Sequence, residues 1–252
     1  MKHQVTRVRR DTRRRLLTVR EVANLTPAMR RITFESPDLR DFESAAPDDH
    51  IKLFFPPLPG AVADGKPCMR DFTPRAFDTT SGTLTVDFAL HDAGPATHWA
   101  AQATAGQTLE IGGPRGSAIV PDDFDFYLLI GDETAIPAIG RWVGELRAGA
   151  PVTTLIIVDD AAGELSFPTR ASLTPIWVHR AGNADDAAAL QAALQTIELP
   201  SGEGYIWIAA EASVAKSVRA YLLAERGHPR EWLKAAGYWK RGQADVHERI
   251  ED

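Results

Sequence analysis

At Pro121-Asp122-Asp123 the 252-residue chain changes its grammar, and no other feature limits the available folds as much. Before that point, short β-prone runs are separated by Gly and Pro. Residues 18–22 and 31–34 flank a turn-like Asn24-Leu25-Thr26-Pro27, residues 50–55 stop at Pro56-Pro57, and residues 109–111 lie between Gly106-Gln107 and Gly112-Gly113-Pro114. Residues 83–90 alternate cleanly, with Leu84, Val86, Phe88 and Leu90 on one face, which is the period of a half-buried strand. Such runs predict an antiparallel β-barrel or sandwich. After it, compact apolar runs at 126–130, 152–158, 176–179 and 205–209 alternate with helical stretches at about 135–147, 184–196 and 214–226. Strands alternating with helices predict a parallel α/β sheet covered on both faces. The expected organisation is therefore a β domain over residues 1–121 and an α/β domain over 122–252, with a cleft between them as the usual place for a ligand.

Two domains of this size bury their own cores without disulfides or a structural metal. The single cysteine, Cys68, has no partner in the chain, which fits a reducing, cytoplasmic setting. No run approaches the ~18 consecutive apolar residues that cross a bilayer, so no stable membrane insertion is expected. Net charge is −6, yet residues 1–20 carry eight basic side chains against Asp11 alone. Residues 122–252 hold 12 basic and 20 acidic groups. An acidic body argues against nucleic-acid binding, which needs a basic face. The basic segment 1–14 reads as a solvated or partly ordered arm, flexible in the former case, with an RNA or membrane contact as the alternative.

Three segments carry chemistry. Arg70-Asp71-Phe72-Thr73-Pro74-Arg75 places two guanidinium groups around an aromatic ring and a hydroxyl. Planar guanidinium donors match a pyrophosphate, Phe72 offers a ring to a flavin, and Thr73 offers a hydrogen bond; an ordinary solvated edge strand is the competing reading. His91-Asp92-Ala93-Gly94-Pro95-Ala96 leads into a short helix, whose outward N–H groups make an anion site. His91 is either a cofactor contact or a surface residue. Gly131-Asp132-Glu133-Thr134 sits between the first α/β strand and its helix, where α/β folds bind dinucleotides. There is no G-x-G-x-x-G. Gly131 would let a nicotinamide approach and Thr134 could donate to it, whereas Asp132 and Glu133 fit either the site or a helix cap. Asp159-Asp160 reads as a ribose contact or a solvated strand end, and Arg180 as a 2′-phosphate partner. No cysteine spacing suits an iron–sulfur cluster, and no metal site is expected.

Taken with Gly113-Pro114-Arg115-Gly116-Ser117 and Gly237-Tyr238-Trp239-Lys240-Arg241-Gly242, these segments resemble the siderophore-interacting protein family, the FAD-containing ferric-siderophore reductases related to ferredoxin–NADP reductases. They occur in the family's order and span nearly the whole chain. The resemblance implies an N-terminal FAD-binding β-barrel and a C-terminal NAD(P)-binding α/β domain. It puts FAD against Arg70, Phe72, Thr73 and Arg75, with His91, Gly94, Pro95 and Ala96 near its phosphates, and adds Gly116, Ser117 and Trp239 to the cofactor contacts. The family's usual Tyr is Phe72 here, so the ring face is kept and the phenol donor lost. Gly131, Asp132, Glu133 and Thr134 fall near the nicotinamide, and Lys52, Arg115 and Arg241 match a basic patch that docks anionic ferric chelates.

The implied activity is transfer of electrons from NADPH or NADH through FAD to a ferric siderophore in the cytoplasm, releasing Fe(II), with no side chain acting as acid or base. Three alternatives stand beside it: the same reductase fed by reduced ferredoxin, a siderophore-binding or iron-chaperone module with little reductase activity, and an electron-transfer component for an oxygenase.

Overall fold

The computed structural model describes residues 3–58, 68–90, 94–182, 185–242 and 248–250. The chain divides into two compact units, Met1–Val120 and Pro121–Asp252.

In the first unit the strands are β1 (Thr6–Arg9), β2 (Arg14–Thr26), β3 (Met29–Glu35), β4 (Ile51–Phe55), β5 (Cys68–Phe72), β6 (Ala76–Asp78), β7 (Thr83–Ala89), β8 (Thr108–Gly112) and β9 (Gly116–Ile119), with one helix, α1 (Pro95–Gln102). Seven of them form an antiparallel sheet in the order β5-β4-β8-β2-β3-β7-β6. Alternate residues face inward, because successive side chains of a strand point to opposite faces. Leu17 and Val19, Ile32 and Phe34, Ile51, Leu53 and Phe55, and Leu84, Val86 and Phe88 thus meet in one core. Each such side chain contributes roughly 1.5–3 kcal/mol on full burial. Phe88 on β7 touches Phe55 on β4 and Phe72 on β5, although these strands stand far apart in the sheet order. The sheet therefore curls into a half-barrel, and α1 packs against β3, β4 and β7. Strand β2 runs on through Asn24-Leu25, where a turn is expected. Irregularities near Val19/Glu21 and Asn24/Thr26 absorb the twist, and the chain reverses between Thr26 and Met29.

From Thr6 the basic N-terminal segment is built into a sheet, the ordered rather than the loose form of the expected arm. Its strand β1 pairs antiparallel with β9, Thr6 opposite Ile119 and Arg9 opposite Gly116. Arginines of this stretch find acids: Arg10 binds Glu43, Arg13 binds Asp41, and Arg14 binds Glu110. Arg15 is buried, donating to Asp41 and to the carbonyls of Asp38 and Gly113. Positive charge that reads as solvated in the sequence is neutralised locally.

In the second unit, β10 (Phe126–Gly131), β11 (Pro151–Val158), β12 (Ser172–His179), β13 (Gly204–Glu211) and β14 (Leu233–Trp239) are parallel, in the order β12-β11-β10-β13-β14, and β15 (Glu248–Arg249) adds an antiparallel edge. Helices α2 (Ile136–Glu145), α3 (Asp186–Thr196) and α4 (Ala212–Ala224) cover it. Leu128, Ile130, Leu155, Ile157, Ile206 and Ile208 face α3 and α4, joined by Leu190, Leu194, Val218 and Leu222. The alternate residue Tyr127 packs against Trp142 of α2. Strand β12 begins four residues earlier than its apolar run, because Pro175, which lacks a donor, is tolerated on an edge. No helix among the described residues is long and apolar enough to cross a membrane.

Candidate functional site

Strands β4 and β5 set the first part of the site. Ile51 pairs with Phe72, Leu53 with Arg70 and Phe55 with Cys68, so Arg70 and Phe72 share the inward face. Lys52 pairs with Asp71 on the opposite face and forms an ion pair with it at 2.9 Å. Lys52 is thus not brought to the face that carries Arg70 and Phe72. Phe72 is half-buried, with its ring 4.6 Å from that of Phe88 and 5.9 Å from that of Phe55. Thr73 is buried, and the Arg75 backbone N–H donates to the Thr85 carbonyl. Arg75 also shares a buried carboxylate: Arg31 binds Asp87 bidentately at 2.7 Å and 2.7 Å, while Arg75 lies 3.8 Å from it. Two guanidinium groups on one carboxylate leave a local positive excess, and the Asp87 contacts raise the Arg31 pKa.

The second part is α1. Gly94 is its N-cap in an extended conformation, makes no side-chain cap, and is followed by Pro95 at the first turn. His98 is the first residue whose N–H bonds back, to the Gly94 carbonyl. The N–H groups of Ala96 and Thr97 therefore have no acceptor within the helix, and their partial positive charge suits a phosphate. The other end of α1 is held by Arg30, whose guanidinium donates to the carbonyls of Ala100, Ala101 and Ala103. Trp99 joins α1 to the first part of the site, 5.8 Å from Phe55 and 6.1 Å from Phe88. The first amides of α1, the Arg70 guanidinium and the Phe72 ring, linked by Phe55, Phe72, Phe88 and Trp99, fit the diphosphate and isoalloxazine of FAD. Arg75, by contrast, is engaged by Asp87, which alternates with the inward Val86 and Phe88. His91 lies outside the described residues. Among the described residues His98 hydrogen-bonds Gln102 on the surface of α1.

Several expected contacts are committed elsewhere. A Cβ at Gly116 would lie 2.2 Å from the Val8 carbonyl oxygen, so this glycine serves the β1–β9 pairing. The Ser117 hydroxyl is buried. It donates to Asp49 at 2.7 Å and accepts from Arg10 and from the Ala45 N–H. At Gly131 a Cβ would fall 2.4 Å from the Ala135 Cβ and 2.7 Å from the Ala209 carbonyl oxygen, so close packing of protein already requires this glycine. Arg115 and Arg241 are exposed and form no ion pair among the described residues.

At the carboxyl end of the parallel sheet, Asp132 is 1% exposed and accepts four hydrogen bonds. Its Oδ1 takes the Thr134 N–H and hydroxyl, and its Oδ2 takes the Glu211 N–H at 2.9 Å and the Trp239 indole N–H at 2.8 Å. Burial pushes its carboxyl above the ordinary range, against the pull of the Thr134 and Trp239 bonds. Glu133 points to Arg180, which also binds Asp159 at 2.9 Å and Asp186 at 3.0 Å. Burial works against the Arg180 charge, but these carboxylates raise its pKa, so the group is committed to acids rather than spare for a 2′-phosphate. Asp160 caps the turn at Ala161–Gly163. Among the described residues no group of three or more His, Cys, Asp or Glu side chains is placed to hold a metal.

Comparison with known proteins agrees with this layout. The family model described as siderophore-interacting FAD-binding domain matches residues 18–118, and that described as siderophore-interacting protein matches 124–242. The NADPH-dependent ferric-chelate reductase of Escherichia coli strain K12 is 34% identical over 249 residues, covering 92% of this chain and 95% of that protein. Among solved structures, a siderophore utilization protein from T. fusca superposes with a TM-score of 0.88 at 35% identity, covering 96% of this chain and 98% of that one. The siderophore-interacting protein SipS from Aeromonas hydrophila gives 0.80 at 31% identity, with 92% and 93% covered.

Proposed function

This chain belongs to the siderophore-interacting protein family, and from that membership we propose that it is an FAD-dependent ferric-siderophore reductase acting in the cytoplasm with NADPH as donor. The donor is the one for which the E. coli relative is named. The observation that carries the reading lies in the first unit. There the N-terminus of α1, whose first amides have no acceptor within the helix, and the β5 face that carries Arg70 and Phe72 are joined through Phe55, Phe88 and Trp99, within the span of the FAD-binding match.

When bound, FAD supplies the conversion of a two-electron donation into one-electron steps. The protein supplies position. The Ala96 and Thr97 amides, with Arg70, would hold the diphosphate, and Arg75 would join them only on turning from Asp87. Phe72 presents its ring to the isoalloxazine without the hydroxyl of a tyrosine. In the second unit the side chains of Asp132, Glu133 and Thr134 are engaged internally, so contact with the dinucleotide comes from the backbone of this loop. Arg115 and Arg241 dock the anionic ferric chelate, and Lys52 contributes only on leaving Asp71. No side chain acts as general acid or base.

The test is an anaerobic visible spectrum of the purified protein before and after NADPH, then after a ferric siderophore. A flavin spectrum that bleaches with NADPH and recovers as Fe(II) appears is expected. Bleaching by dithionite but not by NADPH would move the donor to ferredoxin. Recovery without Fe(II) would sink the ferric-reductase reading, and a colourless protein that takes up no FAD would sink the whole assignment.

A further inference from the structure

The C-terminal segment with Trp239 and Arg241 is tied to the rest of its unit by an arrangement that sequence neighbours do not supply. Across β13 and β14, Ala210 stands opposite Gly237 and Glu211 opposite Trp239, so Tyr238 is an extra residue on β14. A bulge of this kind bends its strand and re-aims the side chain that follows. Trp239, the residue so re-aimed, donates its indole N–H to the buried Oδ2 of Asp132, 107 residues away in the chain. The same oxygen accepts the N–H of Glu211. Glu211 carries the link onward: its Oε1 accepts the Arg241 backbone N–H at 3.3 Å, while its Oε2 takes the N–H groups of Ser213 and Val214 at the start of α4. The path therefore runs from the end of β10, through Asp132, to Trp239 and Glu211, and from Glu211 to Arg241.

We propose that Asp132 is a positioning residue, which holds the bulged segment through the Trp239 indole and the Glu211 backbone so that the exposed Arg241 guanidinium stands where an anionic ferric chelate docks. The proposal rests on the preceding assignment of Arg241 to docking. It gives Asp132 a task other than the dinucleotide contact expected from its place in the loop. Both carboxylate oxygens are needed, because each accepts two donors; an amide in their place turns an N–H₂ group toward one pair of N–H or O–H donors.

The experiment measures the dissociation constant of the full-length, FAD-loaded protein for ferric tris(2,3-dihydroxybenzoate), from quenching of protein fluorescence, together with the NADPH KM. Arg241→Ala is expected to weaken the probe about tenfold or more, with an effect that shrinks as salt rises. Asp132→Asn and Trp239→Phe are each expected to weaken it about tenfold, as small misplacements of a binding group do. The Asp132→Asn/Trp239→Phe double variant should be no weaker than Asp132→Asn alone, and the fold-change in NADPH KM should be smaller than that in the probe's dissociation constant. If Arg241→Ala leaves the constant unchanged, the docking assignment falls. If Arg241→Ala acts but Asp132→Asn lowers the melting temperature without changing the constant, docking survives and the positioning role is overturned. Should Asp132→Asn fail to fold, Trp239→Phe decides: a constant equal to that of the wild type overturns the proposal.

Discussion

Gly131 ends β10 against Ala135 and the Ala209 carbonyl, where an added methyl has no room. Gly131→Ala is expected to lower the urea midpoint by the equivalent of about 1–3 kcal/mol, the usual cost of overpacking. A change in NADPH KM at unchanged stability would instead restore the role of admitting nicotinamide. Glu211 offers a test by pH. Burial alone would raise its carboxyl, but hydrogen bonds from Ser213, Arg241 and Val214 outweigh it and hold the group below the ordinary glutamate range. A carboxylate lowered in the fold stabilises fully above its unfolded value and loses that contribution as pH falls through its lowered value. The stability gap between wild type and Glu211→Gln should thus be largest near neutrality and close on acidification, as urea midpoints from pH 7 to pH 3 would reveal. At this scale the sequence marks residue types well and partners poorly. Arg70, Phe72 and Gly94 stand out because their neighbours are odd for a core strand or mark a helix start. Nothing local to Asp132 or Trp239 announces a bond across 107 positions, nor does Ser117 reveal that Asp49 holds its hydroxyl.

Among the elements, α1 has eight residues, too few to be stable alone in water. Its C-terminal carbonyls are gathered by Arg30 of β3, and a cation at that end also offsets the helix dipole. Arg30→Ala is expected to cost about 1–2 kcal/mol and to weaken FAD binding, because the freed helix carries the Ala96 and Thr97 amides; fluorescence titration with FAD measures this directly. Elements with a strong period were legible in advance. Strand β7 alternates, and β10, β11 and β13 are apolar on both faces because the sheet is covered on both. Strands β1 and β6 were not legible, being short, charged and outside the middle of a sheet, and β5 was legible only as an edge strand competing with a cofactor segment; partners rather than composition define all three. Strand β14 escaped for a related reason, since Lys234-Ala235-Ala236-Gly237 has weak intrinsic strand preference and is fixed by pairing with β13.

For the whole molecule, each unit has its own apolar core, one gathered around Phe34, Phe55 and Phe88 and the other around Ile130, Leu155 and Ile208. The division at Val120 and Pro121 lies within a residue or so of the change in sequence grammar. Two heat-absorption transitions are expected by calorimetry. Saturating FAD should raise the one belonging to Met1–Val120, by about 2.7 kcal/mol at a hundredfold excess over Kd. A single transition raised as a whole would show that the units unfold together. The pairing of β1 with β9 has a consequence for synthesis. Thr6 meets Ile119 and Arg9 meets Gly116, so a ribosome must deliver almost the entire first unit before its opening strand finds a partner. Closing so long a span is entropically slow. Until then, β1 and the arginines around it form an unpaired cationic thread.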